Sequence, residues 1–132
     1  MLRITFDTNC LISSTLWKTS VSHKLIIRLV NIDAAMFTSE EILDEFSRVL
    51  RRDFNSTEKE IQQREDVIRS LMIIIHPKLS LNVVADDSSD NKIIECAVTS
   101  NSEYIITYDK HLLKLGEFHR TKIVTPEILF KK

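Results

Sequence analysis

The fold of this chain is decided by the stretch Ile4-Thr5-Phe6-Asp7-Thr8-Asn9. Its pattern predicts a short apolar strand that ends in an acidic residue and passes at once into a helix. In open α/β sheets, ligands and catalytic groups collect at the carboxyl ends of parallel strands. Asp7 is therefore a candidate site residue, although an Asp in this position also suits a turn or a helix cap for local hydrogen-bonding reasons.

The rest of the chain repeats this alternation of strands and helices. Apolar residues at helical spacing predict helices at 20–31, after Ser39, and at 57–72, 90–100 and 110–115. Short apolar runs predict strands or extended segments at 34–38, 72–75, 81–85, 104–107 and 122–124. Residues 86–89 indicate a loop and a helix entry, and Pro126 opens a final helical turn. The buried contacts expected in the polar helix 57–72 are Ile61, Val67, Ile68 and Leu71. This order predicts a parallel sheet covered by helices, in one domain spanning residues 1–132.

The composition narrows the class of protein. With 43% hydrophobic and 28% charged residues and a single glycine, the chain is globular, neither fibrous nor disordered. The longest apolar run, residues 71–75, is too short to span a bilayer and no leader-like segment precedes the first strand, so we expect a cytoplasmic protein. Cys10 and Cys96 lie in apolar helical patterns and are expected to be buried, reduced thiols. The net charge of −1 gives no global field that attracts nucleic acid, but cations bound among acids would offset it locally.

Two acids on helices are candidates to join Asp7. Glu45 is the acid nearest the apolar stripe of the helix that follows Ser39, so we expect it at the edge of the core. The alternative is an exposed charge paired with Arg48 or Arg52. Asp90 falls on the apolar face of helix 90–100, where an unpaired carboxylate would be costly. Its alternative role is that of a first-turn Asp favoured by the helix dipole.

Asp109 repeats the arrangement of Asp7, because it closely follows the apolar strand 104–107 and precedes an amphipathic helix. Taken alone, it suits an N-cap equally well. Like charges brought together are costly unless something positive binds among them, so the four acids together predict a cation site. Oxygen ligands suit Mg²⁺ or Mn²⁺, which activate water for attack on phosphodiesters. A glycine-rich phosphate loop is excluded, since the only glycine is Gly116.

With these residues in place, nearly the whole chain resembles the PIN-domain (PilT N-terminal-like) nucleases. The resemblance rests on an ordered set of motifs: Phe6-Asp7-Thr8-Asn9, Ser39 with Glu45 and Val49-Leu50, Asp90-Asn91-Lys92, Ile106-Thr107-Tyr108-Asp109-Lys110 with Leu112-Leu113, and Lys122-Ile123-Val124-Thr125-Pro126-Glu127. It implies a three-layer α/β/α fold with a central parallel sheet, Mg²⁺ or Mn²⁺ dependence, and cleavage of single-stranded RNA. By the match, the metal ligands and catalytic residues are Asp7, Glu45, Asp90 and Asp109, with Asn9, Thr107 and Ser39 as supporting polar groups.

The resemblance is closest to the toxins of type II toxin–antitoxin modules of the virulence-associated protein C type. This branch implies a cognate antitoxin as partner and a homodimer. Two residues depart from the family pattern: Tyr108 stands where the family often has Gly, which narrows access beside Asp109, and Ser89 stands where a second acid often precedes the position of Asp90.

Basic and aromatic side chains supply candidates for substrate binding. They are Lys18, Lys24, Arg48, Arg51, Arg52, Lys110 and Lys114, each of which suits a solvated surface equally well. Trp17 is a candidate for base stacking, with core or dimer-interface packing as the alternative. Two other functions compete with the nuclease: a PIN-like module that binds RNA or a protein without cutting, and a phospho-accepting receiver domain. The second ranks low because the segment 72–77 has no acid at its end.

Overall fold

A six-stranded sheet forms the centre of the computed structural model, which describes residues 1–78, 80, 81, 83 and 88–132. The strands are β1 (Arg3–Phe6), β2 (Ala35–Ser39), β3 (Ile73–Ile75), β4 (Tyr104–Ile106), β5 (Glu117–Phe118) and β6 (Thr121–Val124). They lie in the order β3-β2-β1-β4-β6-β5, and every neighbouring pair is parallel except β5 with β6. The predicted α/β fold with a central, mostly parallel sheet flanked by helices is confirmed.

Most of the helices begin directly after a residue whose side chain caps them. Their bounds are α1 (Thr8–Leu16), α2 (Val21–Asn31), α3 (Glu40–Asp53), α4 (Glu58–Leu71), α5 (Ser88–Thr99), α6 (Lys110–Leu115) and α7 (Pro126–Phe130). Ser20 Oγ accepts the His23 N–H at 3.1 Å to start α2, and Thr57 forms a capping box with Glu60 to start α4. Within the described residues, no helix has the length and apolar character needed to cross a membrane.

Strand β1 lies in the middle of the sheet, between β2 and β4. Ile4 and Phe6 are completely buried, and α5 packs against β1, β2 and β4. A strand covered on both faces has to be apolar on both faces, which explains the continuous apolar character of the opening stretch. Its polar member Thr5 is also fully buried and bonds to the Ser102 hydroxyl at 2.8 Å.

The polar helix α4 buries fewer side chains than the sequence pattern predicted. Ile61 and Ile68 are buried, but Val67 and Leu71 are 52% and 38% exposed, so that part of the prediction was wrong. The reason is helical geometry: at about 100° per residue, Ile61 and Ile68 share a face while Val67 and Leu71 point about 80–120° away from it. The burial of α4 therefore depends on a narrow apolar stripe that contains Ile61 and Ile68.

The other differences concern short segments. The antiparallel pairing of β5 with β6 was missed, because β5 contains only Glu117 and Phe118 and has no periodicity to detect. Helix α5 begins at Ser88, two residues earlier than expected. Most of the predicted extended segment 81–85 and the predicted loop at Asp86 and Asp87 lie outside the described residues.

Candidate active site

Two neighbouring parallel strands deliver acidic residues to the same edge of the sheet. Asp7 follows β1, Asp109 follows β4, and the pairing of the two strands brings Phe6 beside Ile106. The Asp7 N–H continues the ladder by donating to the Ile106 carbonyl at 2.9 Å. Because the strands run in the same direction, the residues that follow them emerge together.

The side chain of Asp7 does not cap the helix that it precedes. Its backbone is extended at the N-cap position of α1, yet its carboxylate makes no capping hydrogen bond. It instead accepts a 2.5 Å hydrogen bond from the Thr107 hydroxyl, which belongs to the segment after β4. Asp7 is only 6% exposed. The purely local explanation of this acid therefore does not account for its placement.

Burial raises the pKa of the Asp7 carboxyl from 3.8 to about 6. The Thr107 hydroxyl and the Thr8 N–H favour the charged form and limit the rise, whereas the negative charges of Asp109 and Glu45 add to it. The charges of Asp109 and Glu45 therefore lie near enough to Asp7 to disfavour its ionisation. A cation among them would remove that repulsion.

Asp109 serves both its own helix and this edge of the sheet. Its Oδ1 atom accepts the N–H groups of His111 at 2.7 Å and Leu112 at 3.2 Å, so the N-cap interpretation is correct for this oxygen. Its own N–H donates to Thr107 Oγ1 at 2.9 Å. The Thr107 hydroxyl, fully buried, therefore joins the two strand-end acids by accepting from the Asp109 backbone and donating to the Asp7 carboxylate.

Glu45 approaches from α3. It is half-buried at the edge of the core, and its Oε2 atom lies 3.4 Å from the Thr8 hydroxyl that donates to it. Its alternative partner Arg52 pairs with Asp53 at 2.7 Å instead. Thr8 is buried and Asn9 is exposed, so the structure brings Thr8 to the acids, a residue that sequence reasoning did not select. The missed signal was its position as the first residue of α1, directly after the strand-end acid.

Asp90 lies in the first turn of α5 and is 4% exposed. Its neighbours Ser89 and Lys92 line a cavity of about 550 Å³ together with residues of α3, which are Glu41, Asp44, Glu45, Ser47, Arg48 and Arg51. The beginning of α5 and the Glu45 face of α3 therefore border one open volume. The Lys92 ammonium in this cavity is 3.3 Å from Glu95.

The sequence model of the PIN domain matches residues 3–111, which include Asp7, Glu45, Asp90 and Asp109. The chain belongs to the PIN-domain family. PIN domains are nucleases and generally use divalent metal ions. No curated protein matches the chain in sequence.

The fold of this PIN domain is similar to a solved structure, the crystal structure of VapBC2 from Rickettsia felis bound to a DNA fragment from their promoter. The TM-score is 0.69 and the sequence identity 15%, and the match covers 92% of this chain and 97% of the other. At this low identity, the likeness supports the fold and no more. It extends over almost all of both chains.

The acids of the PIN domain fit a hydrated divalent ion better than a closed metal cage. In residues 1–78, 80, 81, 83 and 88–132, no three His, Cys, Asp or Glu side chains stand close enough to form a ready-made metal-binding group. Mg²⁺ does not require one, because it keeps several waters and binds through one or two carboxylates plus substrate phosphates. The donor chemistry suits such an ion, because the donors are carboxylate oxygens and the pKa of Asp7 is raised by burial and further by the charges of Asp109 and Glu45.

The remaining predicted residues are distributed unevenly around this edge. Ser39 is buried and caps α3 by accepting the Ile42 N–H at 3.2 Å, so it positions Glu45 only through the helix. Among the basic candidates, Arg48 lines the cavity, and Arg51 and Arg52 bond to Glu58 and Asp53. Lys18, Lys24, Lys110 and Lys114 are exposed. Trp17 is half exposed and makes an edge contact with Phe54 at 5.9 Å between ring centres.

Proposed function

We propose that this PIN domain is a Mg²⁺- or Mn²⁺-dependent endoribonuclease that hydrolyses single-stranded RNA. The observation that carries the proposal is the placement of the buried Asp7 carboxylate beside Asp109, to which the Thr107 hydroxyl joins it at the carboxyl edge of the sheet. Burial, and then the charges of Asp109 and Glu45, raise the Asp7 pKa to about 6. A scaffold gains no stability from such crowding, since bringing like charges together disfavours the folded state. The acids are therefore best explained by a cation that they hold.

We assign the metal ligands as Asp7, Glu45, Asp90 and Asp109. A divalent ion bound there would supply an activated water and stabilise the charge that develops on the phosphoryl group. Thr107 aligns Asp7 with Asp109 through its hydroxyl, and Thr8 orients Glu45. These bonds hold the carboxylates in fixed directions before substrate arrives, which is how supporting groups tune a metal site. Asn9, exposed in the first turn of α1, remains a supporting group by resemblance.

We propose further that the chain is the toxin of a type II toxin–antitoxin module, with an antitoxin as partner and a homodimer as the assembly. The support is the resemblance of its motifs to the virulence-associated protein C type, together with a fold similar to a chain of VapBC2 from Rickettsia felis. For RNA contacts we select Arg48, which lines the cavity beside Glu45, and the exposed Lys18 and Lys110. Arg51 and Arg52 contribute less, because acidic neighbours already neutralise them.

Cleavage of a labelled single-stranded RNA by the purified protein tests the nuclease. We expect cutting with Mn²⁺ or Mg²⁺, none with EDTA, and a loss of about 100-fold or more in Asp7→Asn and Asp90→Asn, in line with the cost of disturbing metal sites. Asp33→Asn is the matched control: it makes the same substitution in an exposed residue before β2, and Asn tolerates its positive φ of 56°. Cutting that survives both site variants would contradict the assignment.

A non-cutting interaction module is the second candidate function. Such a module would keep this fold and bind RNA or a protein partner without a metal ion. Calorimetry with Mn²⁺ separates the two functions. A protein that neither binds Mn²⁺ nor cuts RNA is an interaction module, whereas Mn²⁺ binding that Asp7→Asn abolishes supports the nuclease.

A further inference from the structure

Tyr108 lies between Thr107 and Asp109, at the carboxyl edge of the sheet where Asp7 and Asp109 stand; we call this the acidic edge. Thr107 on one side bonds to Asp7, and Asp109 on the other caps α6. The backbone N–H of Tyr108 points to the buried sulfur of Cys10. Its backbone is therefore fixed, yet its side chain is 45% exposed. A large exposed aromatic residue beside a candidate catalytic centre calls for a function.

The far end of the ring is fixed as well. The Tyr108 hydroxyl donates to Glu127 Oε2 at 2.8 Å, and Glu127 lies in the first turn of α7. The other oxygen of Glu127 is buried and has no hydrogen-bond partner in the part of the chain that the structure describes. An aromatic side chain held at both ends has lost its rotamer freedom before any ligand arrives, so binding to its face costs less conformational entropy.

The charges around the ring restrict what can lie on it. Glu127 is bonded to the ring's hydroxyl and Asp109 is the next residue in the chain, so a phosphate directly at the ring is repelled unless a cation receives it. The ring face is uncharged, and a nucleobase is the uncharged part of a nucleic acid. Stacking of bases on aromatic side chains is strong and tolerates any base. An apolar protein anchor fits less well, because the cores of protein interfaces are depleted of charged residues.

We propose that the face of Tyr108, held by Glu127, is a nucleobase subsite that stacks one base of the single-stranded RNA next to the phosphate that is cut. This inference rests on the proposed function and adds the group that positions the substrate. Tyr108 directly precedes Asp109 in the chain, so in this proposal the stacked base belongs to a nucleotide next to a phosphate bound at Asp109. Tyr108 is then a binding residue, and Glu127 is a positioning residue that acts through it.

The test measures binding of fluorescently labelled RNA hexamers to the protein by anisotropy, with Asp7 intact and with Ca²⁺ in place of Mg²⁺, so that a cation is held among the acids while the RNA stays uncut; a gel of the recovered RNA checks that it is intact. Tyr108→Ala should weaken binding roughly 10- to 100-fold, the range expected for one stacked base. Tyr108→Phe and Glu127→Ala keep the ring and release its far end, so each should weaken binding only about 2- to 5-fold. Ile128→Ala, an exposed apolar residue next to Glu127, is the control and should bind like the parent.

Hexamers with a single abasic nucleotide, one for each position, identify the stacked base. For one of the six hexamers, the protein with Tyr108 and the Tyr108→Ala variant should bind with equal affinity. In that hexamer the base that stacks on Tyr108 is missing, so the ring no longer contributes. An equal loss on all six hexamers, or no loss in Tyr108→Ala, would overturn the subsite. Failure of the parent to bind any hexamer would overturn the subsite and the choice of RNA together. RNA cleavage by the wild-type protein that Tyr108→Ala leaves unchanged would overturn the subsite alone and leave the nuclease standing.

Discussion

The two strand ends that carry Asp7 and Asp109 look alike in sequence and differ in structure. Each is an apolar strand followed by an acid and a helix. Asp109 uses one oxygen to cap its helix and is partly exposed, whereas the Asp7 side chain makes no capping bond, is buried and bonds to Thr107. The same local pattern thus gives one acid, Asp109, that stabilises its helix and another, Asp7, whose buried charge lowers the stability of the fold. The difference arises from a residue 100 positions away, which no local pattern contains.

The largest expected effect comes from removing the charge of Asp7. Because its pKa rises from 3.8 to about 6 on folding, ionisation disfavours the folded state. The carboxyl is neutral in both states below 3.8 and costs nothing there; the cost grows as the pH rises and is complete above about 6. Asp7→Asn should therefore raise the free energy of unfolding near pH 8 by up to about 3 kcal/mol while it abolishes cleavage.

Urea unfolding in EDTA at pH 4 and pH 8 measures this gain, which should be present at pH 8 and largely absent at pH 4. Added Mn²⁺ should stabilise the wild-type protein at pH 8 and leave Asp7→Asn nearly unchanged, because the ion replaces the repulsion with attraction. A variant that is less stable than the wild type at both pH values would mean that Asp7, like Asp109, serves the fold.

Thr107→Val breaks the link between the two acids. The substitution keeps the shape of the side chain but leaves the buried Asp7 carboxylate without its hydroxyl donor and the Asp109 N–H without its acceptor. We expect a loss of about 1–3 kcal/mol in the free energy of unfolding. The pKa of Asp7 should also rise, which moves the lower limb of the pH–rate profile to higher pH. Thr107→Ser keeps the hydroxyl and should stay close to the wild type in both measurements.

The smallest effect separates the two roles of Asp109. Asn caps helices as well as Asp does, so Asp109→Asn should preserve stability, whereas Asp109→Ala should lose about 1 kcal/mol through the bonds to His111 and Leu112. Cleavage should fall in both variants, because both lack the carboxylate. Thermal unfolding of the two variants checks the stabilities, and the RNA assay checks the loss of cleavage. Equal stability of the two variants would show that the cap contributes little to α6.

The strand and helix order was predictable because each element carries its own local signal. Ser20, Ser39 and Thr57 mark helix starts by chemistry that acts within three residues, and all three cap helices in the structure. The elements that carry the candidate acids were recognisable in the same way. Their roles as metal ligands stay predictions.

What the sequence did not reveal depends on contacts between distant segments. The parts played by Thr8 and Thr107 follow from the packing of α1 on α3 and of β1 on β4, and the bond between Tyr108 and Glu127 depends on where α7 lies. Likewise, nothing in the sequence distinguishes Arg48 from Arg51 and Arg52. Only the folded chain shows that the last two bond to Glu58 and Asp53.

The central position of β1 in the sheet also determines when, during synthesis, its two neighbouring strands become available to pair with it. Its partner β2 follows about thirty residues later, but its other partner β4 and the Thr107 that bonds to Asp7 are 100 positions away. At roughly 5–20 residues per second, a ribosome needs on the order of 5–20 s to make that intervening segment. During this interval Asp7 already exists, but the neighbouring strand end does not. The pairing of Asp7 with the end of β4 therefore cannot form on a nascent chain until residues 104–107 have emerged.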